Sequence, residues 1–203
     1  MTISRRGFIL GATALLAGCA TNSQRANYAA KPEEIHPLPA MPLDKIKPEL
    51  RRTEVDYTTA YAAGTIVVDT PARRLYFVQG DGKAIRYGVG VGREGLELHG
   101  NAYIGRKAEW PTWTPTANML RRDPKKNGKY AGGLEGGLNN PLGARALYLY
   151  RGGNDIHFRI HGTNQPNSIG QAMSSGCIRM LNHDIIDLYN RASVGGKVVV
   201  IQA

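Results

Sequence analysis

With 203 residues, the chain has room for one well-buried domain plus a leader and tether, and two large domains are excluded. A composition of 42% hydrophobic and 21% charged residues, with 25 Gly and 11 Pro, excludes disorder throughout and favours strands and turns over a helical bundle. The formal net charge of +10 points either to anionic partners or to a basic surface that serves solubility.

The chain opens MTISRRGFILGATALLAGC, with Arg5 and Arg6 ahead of an apolar run and small residues before Cys19. This is the layout of an export signal over residues 1–18. Its apolar run is well short of the roughly 20 residues that cross a bilayer core as a helix. Arg5-Arg6 in SRRGF resembles a twin-arginine signal, and LAGC resembles a lipobox that would leave Cys19 lipidated. An ordinary secretory signal with chance arginines and a chance cysteine is the plainer alternative. Under each of these readings the protein is exported to the periplasm or cell envelope, and nucleic acid is excluded as a partner. A lipidated Cys19 would make the protein a membrane-anchored lipoprotein.

Residues 19–61 are polar and proline-spotted, with Pro32, Pro37, Pro39, Pro42 and Pro48, and read as an extended tether. A domain over 62–203 follows. Alternation and β-branched content predict strands at 65–70, 73–79 and 84–92, separated by Thr70-Pro71-Ala72 and Gly80-Asp81-Gly82, which make a meander. Further strands are expected at 102–108, 146–150, 155–162 and 197–202. One helix is expected at 183–192, with Asn182 as N-cap and Gly195-Gly196 as its end. The stretch 109–143 reads as a long loop of the kind that serves as lid or binding element. Its Trp110, Trp113 and Tyr130 either line a cleft or pin the loop to the core.

Export gives the cysteine count a meaning. With Cys19 lipidated, Cys177 is the remaining thiol in a compartment where structural cysteines come in pairs. A thiol with an ordinary pKa near 8.5 is mostly protonated at neutral pH and needs a base to act as a nucleophile. On the strand DIHFRIHG, the pleat puts His157 and His161 on one face, about 13 Å apart. Only one of them meets the thiol directly. His161 stands at the strand end, where a turn frees its imidazole, while His157 reads as a wall or rim residue. The segment from His161 to Cys177 is long enough to leave and return. Gly176 permits close backbone approach, and the amides around Cys177 with the Arg179 guanidinium suit an oxyanion or a substrate carboxylate. No Asp or Glu lies in this segment, so a backbone carbonyl is a candidate to orient the imidazole. A small buried cysteine is the bland reading. A zinc site from His157, His161, Cys177 and His183 lacks any zinc-ligand spacing.

The stretch IHGTNQPNSIGQAMSSGCIRM (160–180) closely resembles the active-site signature of the L,D-transpeptidase catalytic domain, a peptidoglycan cysteine transpeptidase family. The likeness extends through IGRKAEWPTWTP (104–115) and NNPLGARALYLY (139–150) and covers roughly 62–203. It implies a mainly β, sandwich-like fold with one or two short helices and a long loop over the active site. Carried over residue by residue, it makes Cys177 the nucleophile, His161 its general base and Gly162 the carbonyl that orients the imidazole. Arg179, Ser175, Gly176 and Trp113 are candidates for substrate binding. Ser175 stands where much of the family has histidine.

The family's reaction is attack of the Cys177 thiolate on a peptidoglycan tetrapeptide stem, release of terminal D-alanine as a thioester forms, and transfer of the acyl group to an amine. The acceptor would be another stem, giving a 3→3 cross-link, or a lysine of an envelope protein. No cofactor or metal is implied. Transfer to water, making an L,D-carboxypeptidase, and a catalytically silent wall-binding lipoprotein are the alternatives.

Overall fold

The structure is a computed structural model and describes residues 22–92, 98–174 and 176–202. It divides into two units, Met1–Pro48 and Glu49–Ala203. Within the first, Lys31 and Leu38 exchange backbone hydrogen bonds of 2.8 and 3.1 Å, and Met41 N donates to the carbonyl of buried Tyr28.

The second unit is built from β1 (Thr53–Asp56), β2 (Ile66–Asp69), β3 (Arg74–Gly80), β4 (Lys83–Gly88), β5 (Val91–Gly92), β6 (Gly100–Glu109), β7 (Arg145–Arg151), β8 (Asn154–His161), β9 (Ala172–Ser174), β10 (Ile178–Arg179) and β11 (Lys197–Ile201). Among the described residues, nine strands form one sheet in the order β1-β4-β3-β2-β11-β6-β7-β8-β10. The expected meander is β2, β3 and β4 in antiparallel register. β11 runs parallel to β2 and antiparallel to β6, which joins the two halves of the sheet.

Two strands differ from the sequence reading. β1 lies inside the segment read as tether, where TEVD follows the last proline of that segment and pairs with β4. The strand expected over 84–92 breaks after Gly88, because Gly90 turns both its backbone groups to Arg179, at 2.9 and 2.8 Å. A Cβ at position 90 would lie 2.5 Å from Ser168 O, so glycine is required for this closure. This bridge ties the segment after β4 to β10.

Period-2 alternation divides the faces of the second half of the sheet. Leu147, Leu149, Ile160 and Ile178 are buried in the core, together with Val198, Val200 and Met180. Residues of the opposite parity, Tyr148, Arg159, His161 and Arg179, point away from that core. Truncating Leu147 to Ala would cost about 2–5 kcal/mol through lost burial and the cavity left behind.

The helix Asn182–Arg191 covers the core face with buried Ile185, Ile186 and Leu188. Leu181, not Asn182, occupies the N-cap position and makes no side-chain cap, and Ala192 ends the helix ahead of Gly195. Its last carbonyls are satisfied from the sheet: Lys107 Nζ donates to Tyr189 O and Ala192 O, both at 2.6 Å. Asp187 ties the helix to the first half of the sheet, accepting from Tyr87 Oη at 2.5 Å and pairing with Arg52 at 3.0 Å and Arg191 at 2.8 Å.

Candidate active site

Two cross-strand rows define the outward face of the sheet. Ala108 faces Ala146, Ala146 faces His161, and His161 faces Arg179. One pleat along, Arg106 faces Tyr148 and Tyr148 faces Arg159. Cys177 precedes Arg179 by one pleat and so falls at the end of the second row. Cys177 and His161 thus belong to the same face of the sheet on adjacent strands.

His161 is 5% exposed. Its Nδ1 lies 2.6 Å from the carbonyl oxygen of Gly162. A carbonyl only accepts, so Nδ1 carries the proton and Nε2 is left as the bare, basic nitrogen. Burial lowers the pKa of His161 to about 4, against the Gly162 hydrogen bond that acts to raise it, with the Arg179 and Arg159 charges adding to the fall. The imidazole is therefore neutral at physiological pH. Burial pushes the Cys177 thiol above its ordinary value, while the Arg159 amide and the Arg159 and Arg179 charges pull the other way. At rest the thiol is protonated and the imidazole neutral.

The Gly162 carbonyl is itself held. Gly162 N donates to Arg145 O at 3.0 Å. Asn182 Oδ1 accepts from Ala144 N at 3.0 Å and Thr163 N at 3.2 Å, clamping the turn after β8 to the segment before β7. A Cβ on Gly162 or Gly143 would collide with that same oxygen, and Gly143 adopts φ 63°. The side chain read from the sequence as a helix cap thus serves a tertiary clamp.

The loop expected over 109–143 contains the short helices Ala117–Arg122 and Pro124–Asn127, the first capped by Thr116 and the second by Asp123. Buried Asn140 organises its base, donating to Pro111 O, Leu134 O and Glu135 O while accepting from Leu142 N. Trp110 is buried and its amide donates to Ala144 O, which pins the loop to the core. Trp113 stands edge-on to Tyr130 at 5.8 Å and is bridged to Leu134, so its partners lie inside the loop. Asn164 Nδ2 donates to Asn139 O at 2.8 Å, tying the loop to the turn that follows His161.

Of the other expected site residues, Arg179 lies beside His161 and donates to Gln165 Oε1 at 3.2 Å. Gly176 is buried with φ 121°, a conformation that favours glycine. Ser175, Cys19 and the export signal lie outside the described residues. His157 reaches the site through its main chain: its carbonyl is 4.0 Å from Cys177 Sγ, while its side chain is exposed. The even pleat assumed for β8 is broken by a register shift opposite Tyr148 and Tyr150. Asp155, Arg159, Tyr148, Asn140 and Asn182 complete the surroundings and went unread as site residues. Register across β7 and β8 would have grouped Tyr148 with Arg159, but the bulge hid Asp155.

Residues 63–201 match the family model of the L,D-transpeptidase catalytic domain. The chain belongs to that family. It is 37% identical over 139 residues to the probable L,D-transpeptidase ErfK/SrfK of Escherichia coli, a match that covers 67% of this chain and 43% of that relative. This chain therefore spans less than half the length of that relative. A crystal structure from Brucella melitensis, described as a probable carnitine operon oxidoreductase, is 49% identical and covers 77% of this chain and 96% of its own at a TM-score of 0.53. The Ldtfm-avibactam carbamoyl enzyme, at 19% identity, shares the fold over 70% of this chain and 50% of its own with a TM-score of 0.51.

Proposed function

We propose that this protein is an exported peptidoglycan L,D-transpeptidase. Cys177 is the nucleophile, His161 the general base, and Gly162 the group that holds the imidazole tautomer. The reading rests above all on the 2.6 Å contact between His161 Nδ1 and Gly162 O, which leaves Nε2 to receive the thiol proton.

As the Cys177 sulfur attacks the carbonyl of the third residue of a tetrapeptide stem, His161 Nε2 takes the thiol proton. The tetrahedral intermediate collapses with cleavage of the C–N bond, and the imidazolium returns the proton to the departing D-alanine amine. A thioester remains on Cys177. An acceptor amine then attacks the thioester, gives its proton to His161, and releases the sulfur as thiol. Arg179 grips a substrate carboxylate, supported by its place beside His161. The acceptor is a stem diamino acid or a lysine of an envelope protein, and lipid on Cys19 would keep the domain at a membrane.

Incubation of the protein with tetrapeptide muropeptides, followed by mass spectrometry, tests the reading. D-alanine release together with stem dimers is expected. Tripeptide without dimers would assign hydrolysis instead, and identical products from Cys177→Ala would remove Cys177 from the chemistry.

A further inference from the structure

We propose that Asp155 and Arg159 form a positioning clamp across a bulge in β8, and that this clamp sets the stretch of main chain against which the Cys177 sulfur rests. The proposal rests on the reading of Cys177 as nucleophile.

The bulge is visible in the register. Tyr148 faces Arg159 and Tyr150 faces Asp155, so a longer stretch of β8 is set against a shorter one of β7. The Asp155 carboxylate gathers the displaced chain. It accepts from His157 N at 2.8 Å and from Arg159 Nη1 and Nη2 at 2.7 and 2.8 Å, a bidentate fork. The Arg159 guanidinium is fixed further by lying 4.2 Å from the Tyr148 ring centroid, and Arg106 lies 3.5 Å from the same centroid.

His157, between the two clamped ends, has φ 61°. Residues other than glycine are uncommon there, histidine is among those that tolerate it, and a β-branched residue does not. The consequence is local to the nucleophile, since the His157 carbonyl comes within 4.0 Å of Cys177 Sγ. Two residues along the strand from Arg159, His161 turns its backbone toward β10, where its carbonyl accepts from Met180 N at 2.8 Å. Arg159 turns its amide the same way, toward Cys177. The sulfur therefore has a carbonyl to receive its S–H bond at rest and an amide to support it as thiolate. The charges facing it are Arg159 and Arg179, which favour the thiolate, and Asp155, which opposes it.

An ion pair with a purely structural role would leave the thiol's titration unchanged when charge is kept. The test is the rate of Cys177 alkylation by iodoacetamide across a pH series, read by intact mass, in wild type, Arg159→Lys, His157→Val and His157→Gly. Lysine keeps the charge and loses the fork, and valine resists the left-handed φ while leaving the ion pair intact. The clamp predicts that both move the titration midpoint by about one pH unit from the wild-type value, a roughly tenfold change in alkylation rate below it. His157→Gly should titrate as wild type. Wild-type midpoints in both Arg159→Lys and His157→Val would overturn the proposal. If Arg159→Lys does not fold, His157→Val decides the matter by itself. A wild-type protein that alkylates at Cys177 but releases no D-alanine would sink the transpeptidase reading, and the comparison of midpoints would still judge the clamp.

Discussion

His161 gives its Nδ1 proton to the carbonyl of the residue that follows it, Gly162, across 2.6 Å, and does so with only 5% of its surface exposed. A neutral carbonyl thus fixes the orientation of the ring. Because the charges acting on the ring among the described residues are the cations Arg179 and Arg159, burial prevails and the imidazole resists protonation.

That resistance predicts how stability depends on pH. The folded pKa of His161 is about 4, below the unfolded value of 6.5. Between those values the unfolded chain binds a proton that the folded chain does not, so stability falls as pH drops through this window. The loss attributable to His161 is about 3 kcal/mol. Urea unfolding at a series of pH values should show His161→Gln with a flatter dependence over this range than wild type. Parallel curves would contradict the neutral buried imidazole.

Asn182 holds the turn carrying that carbonyl. Asn182→Ala leaves Ala144 N and Thr163 N without their acceptor and should destabilise the domain by about 1–3 kcal/mol. With Gly162 orienting the base as proposed, turnover should fall with KM little changed. Asn182→Asp keeps the accepting oxygen and should retain most activity. Thermal unfolding together with D-alanine release kinetics checks both variants.

The helix that carries Asn182 is anchored from β4. Tyr87→Phe removes the donor to Asp187 and should lower stability by about 1–3 kcal/mol. Asp187 keeps its Arg52 and Arg191 partners, so the fold should survive and KM should remain unchanged. A Tyr87→Phe protein as stable as wild type would show that the hydroxyl contributes nothing to the anchor.

Arg179 faces His161 across β8 and β10. Arg179→Gln should raise KM for the tetrapeptide about tenfold, the scale of one charge-assisted hydrogen bond, with a smaller effect on kcat. An unchanged KM would assign Arg179 to the site's structure and not to the substrate.

Much of this architecture was legible in the sequence where local pattern dictates structure. β-branched alternation marked β2, β3, β7, β8 and β11, and the apolar stripe of Ile185, Ile186 and Leu188 marked the helix. β10 escaped because two residues are too few to show a period, although it carries Arg179 beside His161. β1 escaped because it sits just beyond a run of prolines. Asn182 looked like a cap because its position satisfies local rules, yet tertiary contact with Ala144 and Thr163 claimed its side chain. The place of Asp155 and His157 near Cys177 depends on a bulge, which a strict period of two conceals.

Cys177 as acyl carrier is tested by the intact mass of the protein after brief exposure to a tetrapeptide donor with no amine acceptor present. A stoichiometric adduct with the mass of the donor less D-alanine is expected, located on Cys177 by peptide mapping and absent from Cys177→Ala. Release of D-alanine that persists in Cys177→Ala, with no adduct on the wild-type thiol, would contradict it.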